Sequence, residues 1–372
     1  MSVEHTALDV GKLSPAAQKA LGPGPGRMMA SRGLVPLPPA EQAAVLYQLA
    51  LDSDATIATS AMVTAGGLPE KVLAAALADA ALDPRVLDFY SERVAGKPAA
   101  FEALAHNTAT ADDTIARLAG LGSARDVDLI AANEQRLLRH PQIIAAMYMN
   151  RQARMSTVDR AVELAVRNQV RVPGLAAWDE IARALDSAPP ATAENDALYA
   201  AAVEASTDDT ALTVGDAEQV IEDTAVAAVQ EKADGRKVPI ERMSAKDKIR
   251  LALTGNGFDR STLVRDPLKV VALAAIKSPA VTEFEAAHYA GNASLTDEVI
   301  RFIAGKREWT KLYGTKVALC RNPKTPVSDS MRLMPFLRDK DLVNMTKSKG
   351  IPSAVVAQAR KLLMQRRGGE KK

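Results

Sequence analysis

Cysteine is almost absent: Cys320 stands alone among 372 residues, so no intrachain disulfide can form and a disulfide-stabilised secreted fold is excluded. Aromatic residues are scarce as well, at two Trp, six Tyr and six Phe. The hydrophobic share of 47% therefore rests on Ala, Leu, Val, Ile and twelve Met, a composition that suits closely packed helices better than sheets. Long apolar runs are missing. Even 74–82 contains Asp79, and nothing approaches the roughly 18–20 residues of a membrane span. The first ten residues carry Glu4 and Asp9 with no apolar core, which argues against a secretory signal. A cytoplasmic chain without membrane insertion is expected. His5, His106, His140 and His288 are scattered, with no second His or Cys three or four positions away, so neither a metal nor another cofactor is expected.

What the chain does have is length and a lopsided distribution of charge. The length exceeds one ordinary core and favours two domains or a repeat array. The net charge of +2 hides a division. Residues 1–170 hold 16 basic against 18 acidic side chains, 171–240 hold 5 against 14, and 241–372 hold 26 against 13. An acidic segment thus precedes a basic module, an asymmetry expected of parts with different tasks.

Apolar residues recur at spacings of three and four over 40–50, 69–80, 84–94, 99–105, 111–118, 127–138, 143–149 and 157–166, which predicts short helices. Thr110 before Asp113 and Ser156 before Asp159 read as N-caps, and Thr282 with Glu285 reads as a capping box. Thr296 precedes Asp297 and Glu298 in a first turn, and Thr325 precedes Pro326. A last, basic amphipathic helix is expected from Ser353. The run Gly22-Pro23-Gly24-Pro25-Gly26 interrupts any helix and lacks the Gly-Lys-Ser/Thr of a phosphate loop.

Four parts are expected: a flexible leader 1–34, an N-terminal helical module 35–170, an acidic linker 171–238 with short helices, and a basic helical module 239–372.

Laid on itself, the chain repeats a helix end. Leu273-Ala274-Ala275-Ile276-Lys277-Ser278-Pro279 aligns with Val317-Ala318-Leu319-Cys320-Arg321-Asn322-Pro323 at a separation of 44. Leu104-Ala105-His106-Asn107 aligns with Met147-Tyr148-Met149-Asn150 at 43, and the two halves match at offsets of 171 to 172. A period in the forties is that of paired helices buried by stacking on their neighbours. The string Ala318-Leu319-Cys320-Arg321-Asn322-Pro323-Lys324-Thr325-Pro326 resembles the unit of HEAT-like and leucine-rich-variant helical repeat proteins, where an Asn-Pro turn closes one helix and a Thr-Pro opens the next. Leu263 to Pro267 and Ile276 to Pro279 are looser matches, and the N-terminal copies lack proline at both turns. The resemblance implies an all-α protein, an α-solenoid of stacked short helices in two modules, used for binding and with no common catalytic residues.

No catalytic constellation opposes that expectation. Cys320 sits in the apolar 317–320 run and reads as a small core residue, and Asp112-Asp113, Asp208-Asp209 and Asp297-Glu298 fall at caps or in the linker. The functional signal is the basic C-terminal module. Lys306, Arg307, Trp309, Lys311, Arg321, Lys324, Arg332, Arg338, Lys340, Lys347 and Lys349 are the candidate binding residues, with Trp309 interleaved among cations or else wedged between helices. The expected function is a non-catalytic scaffold or adaptor that binds a protein with an acidic surface; the alternative is a nucleic-acid-binding protein using the same basic face.

Overall fold

The computed structural model describes residues 3–187, 191–206, 240–348 and 350–369. Among the described residues the chain is all-helical, with 23 α-helices and no strand. It divides into two compact units, Met1–Gly174 and Leu175–Lys372.

The first unit opens with α1 (Pro15–Leu21) and α2 (Pro25–Ser31). These helices lie where a flexible leader was expected, and the glycine-proline run is the turn between them. Gly22 ends α1, Gly24 adopts φ 117, a backbone region that side chains disfavour, and Pro25 supplies the preset φ that starts α2. Ala17, Ala20 and Ala30 are buried. The chain before α1 is also held. Tyr47 donates from its hydroxyl to the Thr6 carbonyl at 2.9 Å, Gln48 Oε1 accepts from Leu8 N at 2.7 Å, and Arg85 reaches Thr6 Oγ1 at 2.8 Å and the Ala7 carbonyl at 3.0 Å. Local composition suggested freedom here; contacts with residues some 40 and 80 positions away remove it.

The unit continues with α3 (Pro39–Ala50), α4 (Ala55–Gly66), α5 (Glu70–Leu77), α6 (Pro84–Ser91), α7 (Pro98–His106) and α8 (Asp112–Leu121). It ends with α9 (Ala124–Ala131), α10 (Glu134–Arg139), α11 (Gln142–Met149) and α12 (Met155–Arg167). The single helix expected over 127–138 is two, because Asn133 accepts from Arg136 N and starts α10 afresh. Two expected caps also differ. The Thr110 hydroxyl turns back to the Leu104 carbonyl at 2.8 Å, leaving Ala111 at the N-cap of α8, and α12 begins at Met155, one residue before Ser156.

The second unit begins with α13 (Trp178–Ser187) and α14 (Ala193–Ala205). These helices take 175–206, within the acidic linker 171–238 expected with short helices, into the second unit. Leu175, Ala177, Trp178, Ile181 and Ala184 are buried, and α13 packs on helices from the basic module. The acidic charge that suggested a solvated segment is engaged: Glu180, with 1% of its side chain exposed, pairs with Lys277 at 2.9 Å and with Arg183 at 2.9 Å. On α14, Tyr199 donates to or accepts from Thr254 Oγ1 at 2.9 Å while the Arg250 guanidinium lies 4.2 Å from its ring centroid. The rest of the expected linker, 207–238, lies outside the described residues.

The unit proceeds through α15 (Ala245–Thr254), α16 (Gly257–Leu263), α17 (Lys269–Lys277), α18 (Glu283–Gly291) and α19 (Asp297–Gly305). It closes with α20 (Tyr313–Arg321), α21 (Val327–Leu333), α22 (Asp339–Lys347) and α23 (Ser353–Gly369). The Thr282–Glu285 capping box is present. Thr325 does not cap α21, whose N-cap is Pro326.

The repeated asparagines share one bonding pattern. Asn107 donates from Nδ2 to the carbonyls of Leu77 (2.7 Å) and Asp79 (2.9 Å), and its Oδ1 accepts from Ala109 N. Asn150 does the same to Ala119 and Gly122, both at 2.8 Å, and accepts from Gln152 N. Asn322 bonds Ala290 (2.8 Å) and Asn292 (3.2 Å) and accepts from Lys324 N. Each side chain closes its own helix and satisfies the open carbonyl end of a helix about 30 residues earlier. The fourth position of the pattern holds Ser278, whose buried hydroxyl has no partner.

Candidate functional site

Charge separates the second unit more sharply than the sequence blocks indicated. Residues 241–298 hold eight basic and eight acidic side chains, and three pairs form among them. Lys248 meets Asp266 at 2.9 Å, Arg260 meets Glu285 at 2.9 Å and Lys269 meets Glu298 at 2.7 Å. Residues 299–372 hold 18 basic side chains against five acidic ones, so the whole excess of 13 lies there. Three of the five acids in this stretch are engaged locally: Asp329 by Arg332 at 2.9 Å, Asp339 by Arg366 at 2.6 Å, and Asp341 by the Tyr313 hydroxyl.

The sequence-predicted binding residues divide into three groups. Arg307, Lys311, Arg321, Lys340 and Lys347 are exposed. Lys324 and Arg332 are structural donors as well: Lys324 Nζ bonds the Leu295 carbonyl in the loop before α19 at 2.6 Å, and Arg332 bonds the Ala304 carbonyl at 2.8 Å, closing the C-terminus of α19. Trp309 belongs to the core. It is 3% exposed, packs edge-on to Phe302 at 5.9 Å between centroids and is covered by Lys306 Nζ at 4.0 Å. The structure thus overturns Trp309 as a surface platform: burying the largest ring available, in a chain with so few aromatics, outweighs displaying it. Lys349 lies outside the described residues.

One group of the basic residues is brought together around a residue the sequence reading missed. Phe336 follows α21 in the 3₁₀ turn Met334–Phe336 and is 64% exposed. Lys316, on α20, places Nζ 5.5 Å from the Phe336 centroid and donates to the Lys311 carbonyl at 3.1 Å. Arg338 lies with its guanidinium 4.7 Å from the Tyr313 centroid, and its backbone N–H donates to the Tyr313 hydroxyl at 2.8 Å. Burial and the hydrogen bond to the Asp341 carboxylate raise the Tyr313 pKa, so the phenol stays neutral at ordinary pH. The only sequence signal for Phe336 is that Met334 and Leu337, three apart, occupy the buried side of a turn, which leaves the intervening aromatic outside.

Other places offer less chemistry. An open groove of about 450 Å³ in the first unit is lined by Ala105, His106, Ile115, Leu129 and Glu134. Its strongest polar group, Arg136, is already bonded to the carbonyls of Ala105 at 2.9 Å and Asn107 at 3.0 Å. Burial pushes the Cys320 thiol up to about 12, far from the reactive thiolate range. Among the described residues no group of three or more His, Cys, Asp or Glu is placed to hold a metal ion, and no helix is long and apolar enough to cross a membrane. No family model, no curated protein and no solved structure matches the chain.

Proposed function

We propose that this chain is a non-catalytic helical-repeat scaffold, an α-solenoid of the HEAT-like kind in two modules, that binds a protein with an acidic surface through the basic end of its second unit. The recurring asparagine bracket supports the repeat, since three positions spaced by the predicted offsets make the same three bonds. The binding role rests on one observation. Lys248, Arg260, Lys269 and Lys277 pair with acids of their own unit, whereas Arg307, Lys311, Lys340 and Lys347 are exposed and no ion pair engages them among the described residues. Like charge concentrated on one stretch is costly unless a partner or salt compensates it.

The test uses the full chain and a labelled polyglutamate-containing peptide, with binding followed by fluorescence anisotropy at low and physiological salt. Replacing Arg307, Lys311, Lys340 and Lys347 with Glu is expected to abolish binding at both salts. Unchanged binding by that variant overturns the assignment. Oligothymidylate serves as the competing ligand, and tighter, steeply salt-dependent binding of it would favour the nucleic-acid reading.

A further inference from the structure

Phe336, 64% exposed against 37% for Phe284, the next, is the most exposed aromatic side chain among the described residues. Its exposure is not that of a loose loop. Met334 and Leu337 on either side are buried, Leu337 N closes the turn on the Met334 carbonyl at 3.0 Å, and Arg366 of α23 donates to the carbonyls of Pro335 at 2.7 Å and Leu337 at 2.8 Å. The main chain on both sides of Phe336 is therefore clamped, so the backbone that carries the ring is already ordered when a partner arrives. Lys316 Nζ lies 5.5 Å from the ring centroid and donates to the Lys311 carbonyl, and Arg338 and Lys340 follow two and four residues on, while Asp339 and Asp341 are engaged by Arg366 and Tyr313.

We propose that Phe336 with Lys311 and Lys316 is the anchor point for an acidic segment of a protein partner that also carries an apolar side chain. The inference rests on the reading of the second unit as a protein-binding module and names the chemistry of what it binds. An exposed ring with a cation beside it, on a backbone held by Arg366, matches a segment whose carboxylates meet Lys311 and Lys316 and whose apolar side chain covers Phe336. A single-stranded nucleic acid fits less well. Stacking along a strand uses successive free rings, but Trp309 is buried and the Arg338 guanidinium lies over Tyr313.

Two labelled peptides decide the matter, one of glutamates around a single leucine and one with alanine in its place, titrated into the full chain and its variants at fixed salt. Phe336→Ala is expected to weaken the leucine peptide by about fivefold or more and leave the alanine peptide unchanged. Lys316→Glu is expected to weaken both. Because Phe336 is exposed, its variant should keep the wild-type circular dichroism and thermal midpoint, which separates a lost contact from a lost fold. If Phe336→Ala leaves both peptides unchanged while Lys316→Glu weakens them, the anchor is wrong and the basic-face reading stands. If the wild type binds neither peptide, both are wrong. If oligothymidylate binds tighter than either peptide and Phe336→Ala weakens it, the partner class proposed here is overturned.

Discussion

Asn322 and Ser278 occupy the same position in the repeat and have opposite energetics. Asn322 makes two bonds to buried carbonyls of α18 and its cap and a third to Lys324 N, so Asn322→Ala leaves acceptors without donors and should cost about 2 kcal/mol. Ser278 has a buried hydroxyl with no partner, and Ser278→Ala should be neutral or gain about 1 kcal/mol. Urea denaturation of the two variants against the wild type measures both, and equal effects would show that the position does not act as a bracket. Cys320 supplies a second check at this scale. With its thiol buried and raised to about 12, it should resist a thiol reagent at pH 8 in the native protein and react fully in denaturant.

Helices in this chain are tied to their neighbours by short carboxylate–guanidinium contacts, and these set the acid limit of the first unit. Burial alone would raise the Asp112 pKa, but hydrogen bonds from Arg139 at 2.8 and 2.6 Å and the charge of Arg136 outweigh it and hold the carboxyl below its ordinary value. Hydrogen bonds from Arg85 depress Asp83 against a smaller effect of burial. A carboxyl with a lowered pKa in the fold adds stability that is full at neutral pH and is lost as pH falls from about 4 through the depressed value. Urea midpoints measured down to acid pH should therefore fall in that window, and Asp112→Asn should flatten the fall while lowering the neutral midpoint. The caps show where local reading stops at this scale. Thr282 with Glu285 was legible because both partners lie within one turn, whereas Thr110 has a competing acceptor in the Leu104 carbonyl that spacing alone did not rank.

At the scale of the whole molecule, the second unit starts at Leu175 and not where the basic stretch begins. Trp178, Ile181 and Tyr199 are buried within it, and each large side chain so placed contributes about 1.5–3 kcal/mol. Glu180 also neutralises Lys277 across 97 residues. A fragment covering 175–372 should therefore show a cooperative urea transition, and one covering 239–372 should unfold at a clearly lower midpoint with less helicity by circular dichroism. Equal midpoints would restore 171–206 to the role of a connector.

By itself the sequence determined the helical class, the recurrence of a helix end at 43–44 residues and the location of the positive charge. All three are set by short-range spacing or by composition, which a chain carries whatever it packs against. The tertiary structure decided the rest. It placed Trp309 inside and Phe336 outside, turned the Thr110 hydroxyl back to the Leu104 carbonyl, and drew α13 and α14 into the second unit through Tyr199, Arg250 and the Glu180–Lys277 pair. It also showed why the recurring asparagines recur, since each one bonds carbonyls 28 to 32 residues earlier. Burial and long-range hydrogen bonding depend on which surfaces meet, and residues this far apart leave no periodic trace of that meeting in the chain.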